Sequence, residues 1–238
     1  MQTKLATYIH DQEAEPRIRD LLLGALAVSS GAIDSISFLA LGKVFSAFMT
    51  GNIVFLGFRV AGANAPSVAT ILTSIIAFAV GVYLSALIVK PTAGSGIWPA
   101  RVTVALAVSL IPHAVFLAVW FASNGQPSMA GVNILIGLWA LAMGMQSAAV
   151  RTLHVEGVFT TAATATVIVL ASDISTWSIT GAERRRLAGV LVSLFIGATA
   201  GGLLLVHAPI YAPVLPFVIT VATVATAWTA LRERNKSH

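Results

Sequence analysis

The sequence predicts an all-α polytopic membrane protein made of two related repeats, and three observations predict it. Of 238 residues, 57% are hydrophobic and only 10% charged, with a mean hydropathy of +0.89; a soluble domain carries about 25% charged residues. Eight apolar segments follow one another, separated by short polar or proline-rich turns. A motif of the second segment returns in the sixth.

In order, the segments run from about Leu21 to Leu41, Val44 to Ala61, Val68 to Val89, Val102 to Phe121, Met129 to Val150, Val155 to Ala171 and Leu187 to Val206, with an eighth ending near Leu231. Most approach the roughly 20 residues that cross a ~30 Å hydrocarbon core. Residues 1–20 are polar and lack the basic start and immediate apolar core of a cleavable signal. They read as a cytoplasmic tail, with Arg17 and Arg19 just before the first span. Residues 21–231 then form one transmembrane domain, in repeats of about 21–123 and 129–231, and 232–238 a second cytoplasmic tail. The charge of +5 and pI near 10.1 come from basic residues placed between spans and at the ends, which determine topology rather than bind nucleic acid. There is no cysteine, so disulfides and thiolate metal sites are excluded.

Val44-Phe45 recurs as Val158-Phe159, Thr50-Gly51-Asn52 as Thr164-Ala165-Thr166, and IVFL as VIVL, each 114 positions later. Gly31 to Ser35 matches Gly144 to Ser147 if a gap is allowed. Lysines and arginines in short loops favour the cytoplasm, which tests whether every segment crosses. Eight crossings divide the basic residues 10 inside to 4 outside; six crossings, with the second and sixth segments re-entrant, divide them 12 to 2. The charges favour six. Three crossings per repeat is odd, so the second copy would be inverted, the arrangement whose interrupted segments point to a transport site near the midplane. Eight crossings, the alternative, would make the repeats parallel.

The stretch from Gly31 to Gly57 carries the most chemistry. Asp34 lies deep in an apolar run, where an unpaired Asp costs roughly 2.5–3.5 kcal/mol on insertion scales. It reads as a protonatable or ion-binding carboxylate beside Ser35, or else as an acid that locks a helix break among Ser29, Ser30, Ser35 and Ser37. Thr50-Gly51-Asn52 suggests a break at Gly51, with Thr50 or Asn52 capping the following half-helix, whose positive end suits an anion. Close helix packing is the plainer reading of the glycine. Gln146, Ser147, Thr164 and Thr166 are the second-half counterparts. Arg151 and His154 fit snorkelling at a segment end, Thr160 and Thr161 add hydroxyls, and His113 after Pro112 suits the carbonyls that a proline frees. The tryptophans read as interfacial, Arg184 to Arg186 as topology anchors, and Gly197, Gly201 and Gly202 as a packing face that a homodimer could use. No phosphate loop, metal cluster or nucleophile with its base is evident, so the sequence predicts no enzyme, no cofactor and no metal.

GAIDSISFLALGKVFSAFMTGNIVFLG, with ALAMGMQSAAVRTL and VFTTAATAT, resembles the YoaK-like bacterial membrane proteins, a widespread family of unknown function, from about Leu21 to Leu231. Gly31, Asp34, Phe45, Thr50, Gly51 and Asn52 fall on its pattern, as do Gly144, Gln146 and Arg151. Thr164-Ala165 stands where that family has Thr-Gly. The resemblance implies a bacterial inner membrane and, by analogy, small-solute movement. The expected function is a secondary transporter or exporter of a small solute or ion, with both termini cytoplasmic and the bilayer as its other partner. Asp34, Ser35, Thr50, Gly51 and Asn52 would form one wall of the site and Gln146, Ser147, Thr164 and Thr166 the other. A passive channel and a membrane scaffold or regulatory subunit are the alternatives.

Overall fold

The computed structural model describes residues 2–90, 97–153, 155 and 163–231, with side chains from residue 16 to residue 230 within those ranges. Among the described residues every regular element is helical: α1 (Gln2–Ala40), α2 (Met49–Val60), α3 (Val68–Ile88), α4 (Ala100–Ala122), α5 (Met129–Arg151), α6 (Ala163–Thr176), α7 (Gly181–His207) and α8 (Val214–Thr226). A 3-10 turn at Pro209–Tyr211 leads into α8, and a π-helical turn at Ala227–Leu231 extends it. Six are long and apolar enough to cross a membrane: α1 from Pro16, α3, α4, α5, α7, and α8 with its flanking turns. At 1.5 Å per residue, the 12 residues of α2 rise roughly 18 Å and the 14 of α6 roughly 21 Å, short of a ~30 Å core.

Two apolar clusters show which way each helix runs. One gathers Leu22, Leu23 and Leu26 of α1 with Val102 and Leu106 of α4, Ala149 and Val150 of α5, Leu187 and Val190 of α7, and Ala227. The other gathers Ile33 and Ile36 of α1 with Ile71 of α3, Phe116 and Trp120 of α4, Leu135 and Trp139 of α5, and Ala212. We call these the near and far ends. Thus α1, α4 and α7 run near to far, while α3, α5 and α8 run far to near. The triplet α5, α7, α8 runs opposite to α1, α3, α4. Between α1 and α3 the chain both leaves and returns at the far end, where Phe55 and Leu56 of α2 pack. Val169 and Leu170 of α6 pack at the near end. The short helices therefore do not cross, and there are six spans, as the charge distribution favours. Among described basic residues, Arg17, Arg19, Lys90, Arg101, Arg151 and Arg184 to Arg186 lie toward the near end, and Lys43 and Arg59 toward the far end. Single cysteines replacing Asn64 and Tyr211 should react with a membrane-impermeant maleimide from the same side in intact cells; eight crossings would put them on opposite sides.

Glycines set the closest helix crossings. A Cβ on Gly31 would collide with the Leu194 carbonyl and the Ala198 amide of α7, and one on Gly197 with Val28 of α1. Likewise a Cβ on Gly144 of α5 would strike Phe78 and Val82 of α3, and one on Gly81 of α3 would strike Leu141 and Met145 of α5. With no hydrophobic drive between helices in lipid, such backbone approach supplies the packing. The pairs rise in step, Val28 with Gly197 and Ala32 with Gly201, so α1 and α7 run parallel; α3 and α5 do the same. Gly197 and Gly201 form a packing face, as expected, and it is covered by α1 of the same chain.

Other boundaries follow local chemistry. α1 ends where Gly42 and Lys43 take positive φ of 85° and 62°, with the Lys43 ammonium 5.4 Å from the Phe38 ring centre. The Ser128 hydroxyl accepts the Gly131 amide at 3.2 Å to open α5, and Thr180 accepts from Glu183 at 3.2 Å to open α7. Trp98 and Trp120, at the two ends of α4, and Trp139 are buried against other helices, and Trp139 stacks on Phe116 with centroids 3.6 Å apart. Trp177 and Trp228 are exposed.

Candidate functional site

The re-entrant segment is built from an acid on α1 and an amide on α2. α1 passes through Gly31 and Asp34 unbroken, and Gly51 lies inside α2. The break falls at residues 41–48 instead, where the two positive φ values turn the chain back along α1. Asp34 stands six residues before the end of α1, roughly 9 Å below it. Its Oδ1 accepts the backbone N–H of Ser46 at 2.9 Å and of Ala47 at 2.8 Å. Ser37 and Ser46 hydroxyls meet at 2.8 Å. The Asn52 side chain then embraces one peptide group: its Oδ1 accepts from Phe45 N at 2.9 Å, and its Nδ2 donates to Phe45 O at 2.7 Å and to Ser74 Oγ of α3 at 3.0 Å. Ser74 also donates to Phe45 O at 2.6 Å. Non-helical backbone at membrane depth persists only where its polar groups are satisfied by protein or water, and these side chains do that.

This arrangement differs from the capping expected at Thr50 or Asn52. The N-cap of α2 is Phe48, with no side-chain bond, and Thr50 is exposed. Gly51 makes room for two rings: a Cβ there would come within 2.8 Å of the Phe48 ring and 3.0 Å of Phe45, so a larger residue would have to displace them. The chain's own Asp34 occupies the place beside the half-helix where an anion was expected. Ser35 turns away, its Oγ 3.2 Å from where a Cβ on Gly202 of α7 would sit.

The second-half residues lie elsewhere. Gln146 is buried and donates from Nε2 to the Leu26 carbonyl of α1 at 3.3 Å. Ser147, three residues after Gly144 as Asp34 is after Gly31, donates to its own helix at Met143 O. Thr164 is exposed on α6 and Thr166 fully buried. Since α2 packs at the far end and α6 at the near end, Thr50 to Asn52 and Thr164 to Thr166 do not face one another as two walls. His154, Thr160 and Thr161 lie outside the described residues, as do Val158 and Phe159. His113 is buried, and its Nδ1 makes no hydrogen bond; it does not take up carbonyls freed by Pro112.

Two features escaped the sequence reading. Asp173, just past the expected end of the sixth segment, is buried; its Oδ1 accepts from Ile179 N at 2.9 Å and its Oδ2 from Arg184 Nε at 2.8 Å. The Arg184 guanidinium also covers Trp177 at 4.6 Å. The Ile179 amide, then Arg184, hold the Asp173 carboxyl below its ordinary value of 3.8, against its burial. An acid eleven residues before the first of three arginines was the available signal. A depressed carboxyl stabilises the fold above its unfolded value and loses that contribution as pH falls through the folded one. Melting temperature in detergent should therefore fall below about pH 4, and Asp173→Asn should flatten that acid limb.

The second is a polar layer between the two apolar clusters. α1, α8, α4 and α5 form a ring in which each packs on its neighbours. Between the clusters the ring carries Ser29 and Ser30 of α1, Ser109 and His113 of α4, Gln146 of α5 and Thr220 of α8, all buried. Ser29 meets Thr220 at 3.2 Å. A helix-by-helix hydropathy reading misses it because each helix contributes only one or two polar residues.

These features define a multi-pass helical membrane protein with six spans and two short helices packed at opposite ends. The chain belongs to the family described as "Protein of unknown function (DUF1275)", whose model matches residues 22–226. It is 38% identical, over 157 residues covering 66% of this chain and 68% of the relative, to the UPF0700 transmembrane protein YoaK of Bacillus subtilis (strain 168). The resemblance read from the Gly31–Gly57 motif is thereby borne out. No solved structure matches.

Proposed function

We propose that the protein is a secondary transporter or exporter of a small solute, built on an inverted internal repeat, in the bacterial inner (plasma) membrane. The observation that carries this is the buried polar layer, sealed by an apolar cluster at each end and flanked by short helices from opposite ends. Alternating access needs two such seals opened in turn, and inverted repeats place matching broken segments on either side of a central site. The pairing supports the repeat: exchanging α1, α3, α4 for α5, α7, α8 turns the α1–α7 crossing into α5–α3 and the α4–α5 contact into α8–α1. The excess of basic residues toward the near end supports cytoplasmic termini. The seals argue against a standing pore, so a passive channel is the weaker reading.

In this reading Asp34 couples ion or proton binding to the far-end loop, because the carboxyl that would take a proton or cation on Oδ2 also holds the Ser46 and Ala47 amides through Oδ1. Asp34→Asn separates charge from structure: an amide oxygen can accept both N–H groups but cannot titrate. With folded protein confirmed by monodisperse elution, the variant should lose at least tenfold in proteoliposome flux, screened with amino acids, sugars, organic acids and cations over internal pyranine. Unchanged flux would reduce Asp34 to a brace for the loop.

A further inference from the structure

Resting on the transporter reading, we infer that the polar layer binds a small monocarboxylic acid and moves it together with one proton, with His113 and Ser30 as the groups that hold the carboxyl. Both residues lie on inward stripes of diagonally opposed helices in the ring. Leu23, Leu26, Ser30 and Ile33 on α1, and Leu106, Ser109, His113 and Phe116 on α4, follow the same 3-4-3 spacing, and all are fully buried or nearly so. Each stripe begins in the near cluster and ends in the far one.

The second observation is what these two side chains lack. Ser30 Oγ and His113 Nδ1 are buried without a hydrogen-bond partner. A hydroxyl in a membrane helix ordinarily donates to the carbonyl one turn back, as Ser147, Thr220 and Thr223 do here. For Ser30 that carbonyl belongs to Leu26, and Gln146 Nε2 takes it. The fold thus presents one hydroxyl donor and one imidazole nitrogen in a polar layer closed by hydrocarbon at each end. Buried polar groups left unpaired in a native structure call for a ligand or another functional reason.

Charge selects the ligand. The helices packed against α4 bring no charged side chain to this layer: α5 has only Arg151 at its near end, α3 only the exposed Tyr83, and α8 with its last turn none. Across the ring, α1 brings Asp34, one turn on and bonded to the loop amides. None of the helices packed against α4 brings a carboxylate to balance a cation beside His113. A carboxylic acid beside neutral imidazole and a carboxylate beside imidazolium carry the same net charge of zero, so the layer accepts either. The hydroxyl donates to one carboxyl oxygen, and the proton lies between the other oxygen and Nδ1. One proton and one carboxylate enter together and leave together, so no net charge crosses.

The test uses the full-length protein in proteoliposomes with radiolabelled L-lactate counterflow as the probe, alongside choline, potassium and glucose. Saturable lactate exchange is expected, faster at pH 5.5 than at 7.5 and unchanged when valinomycin sets the membrane potential. His113→Gln should lower it at least tenfold and Ser30→Ala about fivefold. Ser30→Ala removes one atom, so it remains informative if His113→Gln fails to fold. Lactate exchange unaffected by either variant, or saturable flux of choline, potassium or glucose without lactate, overturns the inference and leaves the transporter reading standing. Wild-type protein moving none of the four, nor any solute in the wider pyranine screen, overturns both.

Discussion

An Asp34→Ala protein loses its far-end re-entrant loop. The substitution leaves the Ser46 and Ala47 amides without the oxygen they share, at a depth where little water can replace it. One orphaned buried donor costs about 1–3 kcal/mol, so the pair amounts to roughly 2–6 kcal/mol, a large share of a stability near 5–15 kcal/mol. The thermal midpoint in detergent, followed by loss of the monodisperse elution peak, should drop by ten degrees or more. Asp34→Asn should stay within a few degrees of wild type. Asn52→Ala should fall between them: the Phe45 carbonyl keeps Ser74 as donor, but the Phe45 amide is stranded. An Asp34→Ala protein as stable as wild type would show that the loop does not depend on this carboxylate.

The second large effect is expected at the glycine crossings. Gly144→Val places a branched side chain against the backbone of α3 at Phe78 and Val82, and Gly197→Val does the same against Val28 of α1. Backbone cannot swing aside as a side chain can, so each helix pair must separate along its length. Overpacking of this kind costs typically 1–3 kcal/mol per added group in a core, and a valine adds three carbons. Both variants should give little or no folded protein after extraction. Gly57→Ala, where nothing lies within 4 Å, is the control and should behave as wild type. Normal yield from Gly144→Val would mean that α3 and α5 do not cross as closely as described.

Much of this fold was legible in the sequence because lipid leaves few choices. Long apolar runs can only be helices, and the placement of basic residues distinguished six crossings from eight before any contact was known. The Gly31–Gly57 stretch was identifiable as special because an acid and an asparagine are costly there. Its internal geometry was not. Gly51 suggested a break, yet the break falls at Gly42 and Lys43, because a glycine inside a helix and one at its end look alike without the ring that packs on it. The role of Asp34 depends on amides twelve and thirteen residues away, and no spacing rule encodes that fold-back. The polar layer was illegible for a different reason: serines, a histidine, a glutamine and a threonine on four separate helices become one feature only when the helices are assembled. Asp173 was overlooked because the sixth segment was ended at Ala171, two residues before the acid that binds Arg184.

The parallel pairing of α1 with α7 and of α3 with α5 has a consequence for how the chain is made. Helices next to each other in sequence can associate as they leave the translocon, but α1 and α7 are separated by some 140 residues of intervening chain. At about 5–20 residues per second, α1 waits roughly 7–28 s for the partner that covers Gly31. During that interval its glycine face is open to lipid and to any other helix with a small-residue stripe. α1 therefore has no partner for its own closest packing surface until α7 arrives, late in biogenesis, and α8 then completes the packing on α1 and α4. Truncation after α5 should leave α3, α4 and α5 packed together but α1 without α7 and α8, an inserted product prone to degradation rather than to half-function.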